Sequence, residues 1–240
     1  MDRIAPTRRP AGDPQGYHSW QHLLFLHWEV PVEVLRPLVP QRLSIDTFEG
    51  RAFVGLVPFT MCDVHPAWCP PVPGISSFHE TNVRTYVHLD GDAPGVWFFS
   101  LDAANPAAVA AARVGWGLPY FFADMTLDVD GDKVEYRSRR HFVDGDAALG
   151  TTYRVGQALG SAEPGTLEHF LCERYFLYAQ DGGRLQRGQV HHTPYPLHRV
   201  GVERLHETLV AASRIPTEGP PMSQLYSPRV DVEVFPLRDV

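Results

Sequence analysis

Short runs rich in apolar, β-branched and aromatic residues, several of them alternating with polar positions, recur along this chain and read as β-strands. They cover Gln21 to Val30, Arg42 to Thr47, Ala52 to Met61, Phe78 to Leu89, Gly95 to Leu101, Tyr120 to Val129, Lys133 to Phe142, Thr151 to Gln157, Glu173 to Ala179 and Val230 to Phe235. Phe48-Glu49-Gly50, Asp90-Gly91-Asp92, Asp130-Gly131-Asp132 and Asp181-Gly182-Gly183 fall next to these runs and supply residues that tolerate positive φ. The pattern predicts antiparallel meanders. Three stretches predict helices: Pro31 to Val39, opened by a proline; Asn105 to Gly115, an Asn-Pro start followed by alanines; and Val202 to Ser213, with Leu205, Leu209 and Val210 on one face. Proline-rich loops at Pro66 to Pro73 and Pro216 to Pro221 connect elements, and no repeat divides the chain. A flexible segment over 1–16 and one domain over 17–240 are expected.

Composition narrows the function classes. With 240 residues, 44% hydrophobic and 11% aromatic, the chain can bury a large core. A net charge of -7 with scattered arginines gives no basic stripe for nucleic acid. No window approaches the roughly 18 apolar residues of a membrane span, and Met1 to Gln15 has no apolar signal core, so a cytoplasmic protein without a membrane partner is expected. Cys62, Cys69 and Cys172 are odd in number and too widely spaced for a zinc knuckle or redox pair. The twelve histidines are dispersed, with only His18/His22 and His191-His192 forming close sets, so neither a metal nor a cofactor is expected. There is no Gly-x-Ser-x-Gly elbow, no phosphate-cradling glycine loop and no His-Glu-x-x-His.

The strand from Phe78 to Leu89 carries the most suggestive chemistry. Alternation places Glu80, Asn82, Arg84, Tyr86 and His88 on one face and Val83, Val87 and Leu89 on the other. That polar face reads either as the wet side of a sheet or as the wall of a polar cavity. Arg84 offers a planar fork for a carboxylate or enolate, or a partner for Glu80, and pairing with Glu80 is the expected state of the empty protein. His27 is a candidate base by its ordinary pKa, or else a satisfied core residue between Leu26 and Trp28.

Four ordered strings carry a family resemblance: Phe25-Leu-His-Trp-Glu-Val-Pro-Val-Glu-Val-Leu-Arg-Pro-Leu-Val-Pro40, Phe53-Val-Gly-Leu-Val-Pro-Phe59, Glu80-Thr-Asn-Val-Arg-Thr-Tyr-Val87 and Trp97-Phe-Phe-Ser-Leu-Asp102. With Gly115 to Phe121 and Tyr226 to Phe235, they resemble the YqjF-like family of uncharacterised bacterial proteins. That family resembles a branch of the acetoacetate-decarboxylase-like superfamily. The resemblance implies a mainly β (α+β) fold, a strongly curved antiparallel sheet forming a β-cone or partly closed barrel with a few short helices around a ligand cavity. It also implies that Glu80 faces the cavity, through the similarity of Phe78-His-Glu80 to the superfamily's tyrosine-x-glutamate step. Arg113 resembles a superfamily arginine that ties helix to sheet, and a homo-oligomer is a further implication.

The departure from the superfamily is equally informative. Where acetoacetate decarboxylase carries glycine-phenylalanine-proline and two lysines, this chain reads Gly117-Leu118-Pro119-Tyr120-Phe121. The sole lysine is Lys133, at the predicted tip of a hairpin, so a lysine imine has no candidate. The sequence therefore points to a cavity for a small carbonyl or carboxylate ligand, served by acid and base chemistry. Glu80, Arg84, Tyr120 and His27 are the candidate catalytic residues, and Asn82, Tyr86, Trp28, Phe98 and Phe121 the candidate ligand contacts. A binding protein without catalysis, or a cone filled by its own side chains, are the alternative readings.

Overall fold

The computed structural model describes residues 1–143 and 145–240. After a 3-10 turn at Ala5–Thr7 come β1 (Gly16–Val30), α1 (Val32–Leu35) running into a 3-10 turn at Arg36–Leu38, β2 (Leu43–Ile45), β3 (Ala52–Pro66), β4 (Phe78–Leu89) and β5 (Asp92–Ala103). The chain continues through α2 (Pro106–Trp116), β6 (Tyr120–Asp130), β7 (Lys133–Arg140), β8 (Ala148–Gly160), α3 (Leu167–Cys172), β9 (Phe176–Asp181) and β10 (Arg184–His191). It ends with β11 (Leu197–Glu207), α4 (Leu209–Ala212), β12 (Ser223–Val234) and β13 (Arg238–Asp239).

Among the described residues the strands form one sheet in the order β13-β10-β9-β5-β6-β7-β8-β11-β12-β1-β3-β4-β2. Two further pairings, β4 with β5 and β10 with β12, join strands far apart in that order and curl the sheet around an interior. The class is the expected one: mainly β, a large curved sheet with few short helices. Its turns use the predicted chemistry, as where Asp90 (φ 52°) and Gly91 (φ 79°) reverse the chain between β4 and β5. Most neighbours are antiparallel, but β5 runs parallel to both β6 and β9, which corrects the all-antiparallel expectation. A parallel neighbour needs a crossover, and α2 supplies it between β5 and β6. The N-cap of that helix is Asn105, which accepts from the Ala107 and Ala108 amides, and Gly117 (φ 59°) closes it.

Strand β1 is buried on both faces. Leu23 and Phe25 join the core inside the curl with Phe53, Tyr86 and Phe170, whereas Leu24, Leu26 and Trp28 pack outside with Val54, Leu56, Val83, Leu209 and Val210. An extra residue in β1 between Gln21 and Leu26, where His22 adopts φ 53°, is a bulge that bends the strand between these layers. Helix α3 plugs the curl, with Phe170, Leu171 and Cys172 buried. The N-terminal segment lies on this body: Arg3 ion-pairs with Asp46, Pro6 is buried and Arg9 pairs with Glu233.

The helix expected over Val202 to Ser213 is instead β11 followed by the single turn of α4. Burial in β11 alternates with period two, and pairing with β8 and β12 outweighs the helical spacing of Leu205, Leu209 and Val210. Strand β10 was not anticipated, because Arg184 to His191 is mostly polar. The starts of β1 and β12 were missed for the same reason.

Candidate functional site

Inside the curl lies a cavity of about 330 Å³. The interior is therefore not filled by its own side chains. Pairing between β3 and β4 sets its rows: Gly55 opposite Arg84, Val57 opposite Asn82, Phe59 opposite Glu80 and Met61 opposite Phe78. Cross-strand partners share a face, so the polar face of β4 meets a small and apolar face of β3. Glu80, Asn82, Arg84, Tyr120 and Phe98 all line the cavity. The polar face of this strand is thus a cavity wall as far as Arg84.

Glu80 is 1% exposed, and the Tyr120 hydroxyl donates to its Oε2 at 2.8 Å. Burial pushes its carboxyl up to about 8; the Tyr120 hydrogen bond opposes this and nearby Asp102 adds to it. Glu80 is therefore predominantly a neutral acid at pH 7. Tyr120 remains a phenol, raised first by burial and then by Glu80. Alternation along β6 sends Tyr120 inward and Phe121 to the opposite face, where the Arg140 guanidinium lies 3.9 Å from its ring and pairs with Asp102 at 2.7 Å. Arg113 ties α2 to this strand by donating from Nε to the Tyr120 carbonyl at 2.6 Å.

Arg84 does not pair with Glu80, contrary to the expectation for the empty protein. Among the described residues no carboxylate lies within ion-pair distance of it; Nη2 donates to the Leu171 carbonyl at 3.2 Å, and Nε has no partner. Four residues apart on one extended strand, the two positions are separated by roughly 13 Å along it, too far for the side chains to pair. A second buried guanidinium, Arg174, also lines the cavity. It donates to Asp46 at 2.8 Å and to the Phe170 carbonyl at 2.7 Å, leaving Nη2 unpartnered. Burial alone would raise the Asp46 carboxyl, but hydrogen bonds and charges from Arg3 and Arg174 outweigh it and hold the group below its usual value. Arg84 and Arg174 thus line this end of the cavity, and Asp46 with Arg3 stands behind Arg174. The Asn82 Oδ1 atom is likewise buried without a donor.

The other candidates lie elsewhere. His27 is fully buried, its Nε2 is 2.6 Å from the Tyr86 hydroxyl, and that hydroxyl donates to the Leu171 carbonyl at 2.7 Å. Because the phenol proton goes to Leu171, His27 donates from Nε2. Burial, then the Arg84 charge, lower its pKa well below the usual value. His27 and Tyr86 brace β1 and β4 against α3 and do not line the cavity. Gly55 makes room for them: a Cβ there would sit 3.1 Å from the imidazole. Trp28 belongs to the outer core and donates to the Gly219 carbonyl at 3.2 Å. Phe121 faces Arg140, outside the cavity. Trp28 was misjudged because β1 is apolar on both faces, and Phe121 because its neighbour Tyr120 takes the inward position. Sequence reasoning missed Arg174, Tyr175, Tyr195, His18 and Trp20, which line the cavity from elements whose strand character or inward face was not legible. Among the described residues no cluster of three or more His, Cys, Asp or Glu side chains is placed to hold a metal, and no helix is long and apolar enough to cross a membrane.

A curled sheet plugged by a short helix around a small cavity defines the acetoacetate-decarboxylase-like fold. The acetoacetate decarboxylase of Legionella pneumophila superposes with a TM-score of 0.66, at 14% identity, over 98% of this chain and 92% of that one. An acetoacetate decarboxylase-like enzyme from Sphingomonas wittichii RW1 gives 0.65 at 12% identity, over 95% and 94%. The enduracididine biosynthesis enzyme MppR, solved in complex with pyruvate, gives 0.64 at 12% identity, over 97% and 93%. Within this fold the chain belongs to the DUF2071 family, described as an uncharacterized conserved protein and matched over residues 17–231. It is 39% identical over 221 residues to the uncharacterized protein YqjF of Bacillus subtilis (strain 168), covering 92% of this chain and 90% of that protein.

Proposed function

We propose that this protein binds a small carboxylate bearing a carbonyl group and moves a proton beside that carbonyl, without a lysine imine. The observation that carries the reading is one buried guanidinium, Arg84, with an unpartnered N–H in the same cavity as a carboxyl group raised to about 8. Arg84 and Arg174 take the ligand's negative charge as charge-assisted hydrogen bonds. The fraction of Glu80 that is ionised, a stronger base than an ordinary carboxylate, removes the proton from the carbon next to the carbonyl. The electron pair moves onto the carbonyl oxygen, giving an enolate held by the guanidinium, while Glu80 becomes the acid. Return of a proton from Glu80 to the same carbon restores the keto acid and completes exchange with no change in oxidation state. Tyr120 orients the Glu80 carboxyl, and Asn82 accepts from a ligand donor. Positioned acid and base groups of this kind typically contribute ~10² to 10⁴-fold.

The lysine arithmetic supports the same reading. Lys133 sits at the β6–β7 hairpin, paired with Glu135 at 3.0 Å, and is not among the cavity residues. The pyruvate complex of MppR adds that a protein of this fold holds a keto acid, although fold likeness alone does not carry function. Three free cysteines suit a reducing cytoplasm. Binding without turnover is the second reading, favoured by walls built largely of Leu23, Val57, Phe59, Phe98 and Leu101.

The test is solvent exchange of the protons beside the carbonyl of simple keto acids in D₂O, followed by NMR. Exchange above the buffer rate that is lost in Glu80→Gln supports the acid and base reading. Binding with no accelerated exchange selects the second one.

A further inference from the structure

The end of the cavity away from Arg84 carries its own unused polar atoms. His18 and Trp20, two residues apart on β1 and so on one face, both line the cavity. The Nδ1 of His18 and the Nε1 of Trp20 are buried, and neither has a hydrogen-bond partner. Buried polar atoms without partners are rare in folded proteins and point to a missing ligand group or water.

Strand register fixes where this pair sits relative to the guanidiniums. Trp20 lies opposite Met61 on β3, and Arg84 lies opposite Gly55 on the same strand. The rows are six residues apart, roughly 20 Å of strand. Long side chains and the inward curl of the sheet shorten that span inside the cavity. Phe98 stands at the Arg84 end and Phe78 at the Trp20 end, and the rows between them pair Asn82 with Val57 and Glu80 with Phe59.

The donor inventory then selects a group. Trp20 can only donate. His18 is held neutral, first by burial and then by the charge of His65, with its pKa lowered to about 4, so its Nδ1 can accept. With His18 in its Nε2–H tautomer a ligand hydroxyl accepts from Trp20 and donates to Nδ1, a carboxylate needs the other tautomer, and a methyl or a ring C–H does neither.

Resting on the carboxylate reading of the Arg84 end, we propose that His18 and Trp20 form a second subsite for a hydroxyl group. The ligand is then an elongated hydroxy acid whose middle passes the Asn82 and Glu80 rows. A three-carbon keto acid leaves this subsite empty.

The experiment is isothermal calorimetry with para-hydroxyphenyl alkanoates, from the acetate to the pentanoate, each against its phenyl counterpart. One chain length of the hydroxylated series should bind at least roughly tenfold tighter than its counterpart, the scale of leaving two buried polar atoms unmatched. In Trp20→Phe and, separately, His18→Leu that preference should shrink toward unity. Pairs of equal affinity at every length, with binding lost in Arg84→Gln, would overturn the hydroxyl subsite and leave the carboxylate reading standing. A hydroxyl preference unchanged in both variants would also overturn it. No binding by any of these acids would remove both.

Discussion

The Tyr120 hydroxyl donates to Glu80 Oε2 at 2.8 Å, in the position where the superfamily resemblance sets a lysine. A phenol cannot form an imine, and beside the carboxyl it serves as a hydrogen-bond donor. Tyr120→Phe removes the hydrogen bond that restrains the Glu80 pKa. The Glu80 carboxyl should then titrate above its wild-type midpoint of about 8, read by ¹³C NMR of labelled glutamate. A midpoint unchanged or lower would show that the hydrogen bond does not act on the carboxylate form.

Stability should fall as pH rises through the range between the ordinary and raised Glu80 values. The folded pKa lies above the unfolded one, so the folded state keeps a proton that the unfolded chain has lost, and stability drops from about pH 4.5 up to about 8. The slope from this group is at most about 1.4 kcal/mol per pH unit. Urea denaturation of Glu80→Gln should be flatter across that window than wild type. Parallel curves would place the titration elsewhere.

The fold was legible where chemistry is local. The turn glycines, the Asn105 cap and the alternation in β4 each depend on neighbours in sequence, and each is present as read. What was not legible depends on distant pairings. Strand β10 follows β9 through the legible Asp181-Gly182-Gly183 turn, but its polar residues carry no strand pattern, and its other partners β12 and β13 are distant in sequence. Glu80, Asn82, Arg84, Tyr120 and Phe98 line the cavity, and for the first three the alternation of β4 alone makes that placement legible. His27 failed as a base because its environment is made by Gly55 and Tyr86 across the sheet. Arg174 went unseen because only the buried Asp46, far away in sequence, makes a guanidinium tolerable there.

Asp46 is the counter-ion of that arginine, and both side chains are 2% exposed. Asp46→Ala leaves a desolvated guanidinium facing Arg3 and should destabilise the protein by about 3 kcal/mol or more. Chemical denaturation measures this directly, and a loss below about 1 kcal/mol would mean that solvent reaches Arg174.

Gly55→Ala should destabilise by about 1 to 3 kcal/mol, because the new methyl meets the His27 ring at 3.1 Å in a site without slack. Adding His27→Ala in the same chain should recover part of that loss. Strict additivity in the double-mutant cycle would show that the two groups do not meet.

Lys133 should be irrelevant to ligand chemistry. Lys133→Arg keeps the charge paired with Glu135, and borohydride added with a keto acid should leave wild-type mass unchanged. A stoichiometric adduct at Lys133 would restore imine chemistry to consideration.

The central claim is that Arg84 holds a ligand's carboxylate in the cavity. Calorimetric titration of a panel of keto and aryl carboxylates into wild type and Arg84→Gln tests it most directly, with a urea melt to establish that the variant is folded. The account predicts binding to wild type that weakens at least roughly tenfold in the folded variant, the scale of a lost charge-assisted hydrogen bond. Equal affinity in both proteins, or no binding to wild type at all, would contradict it.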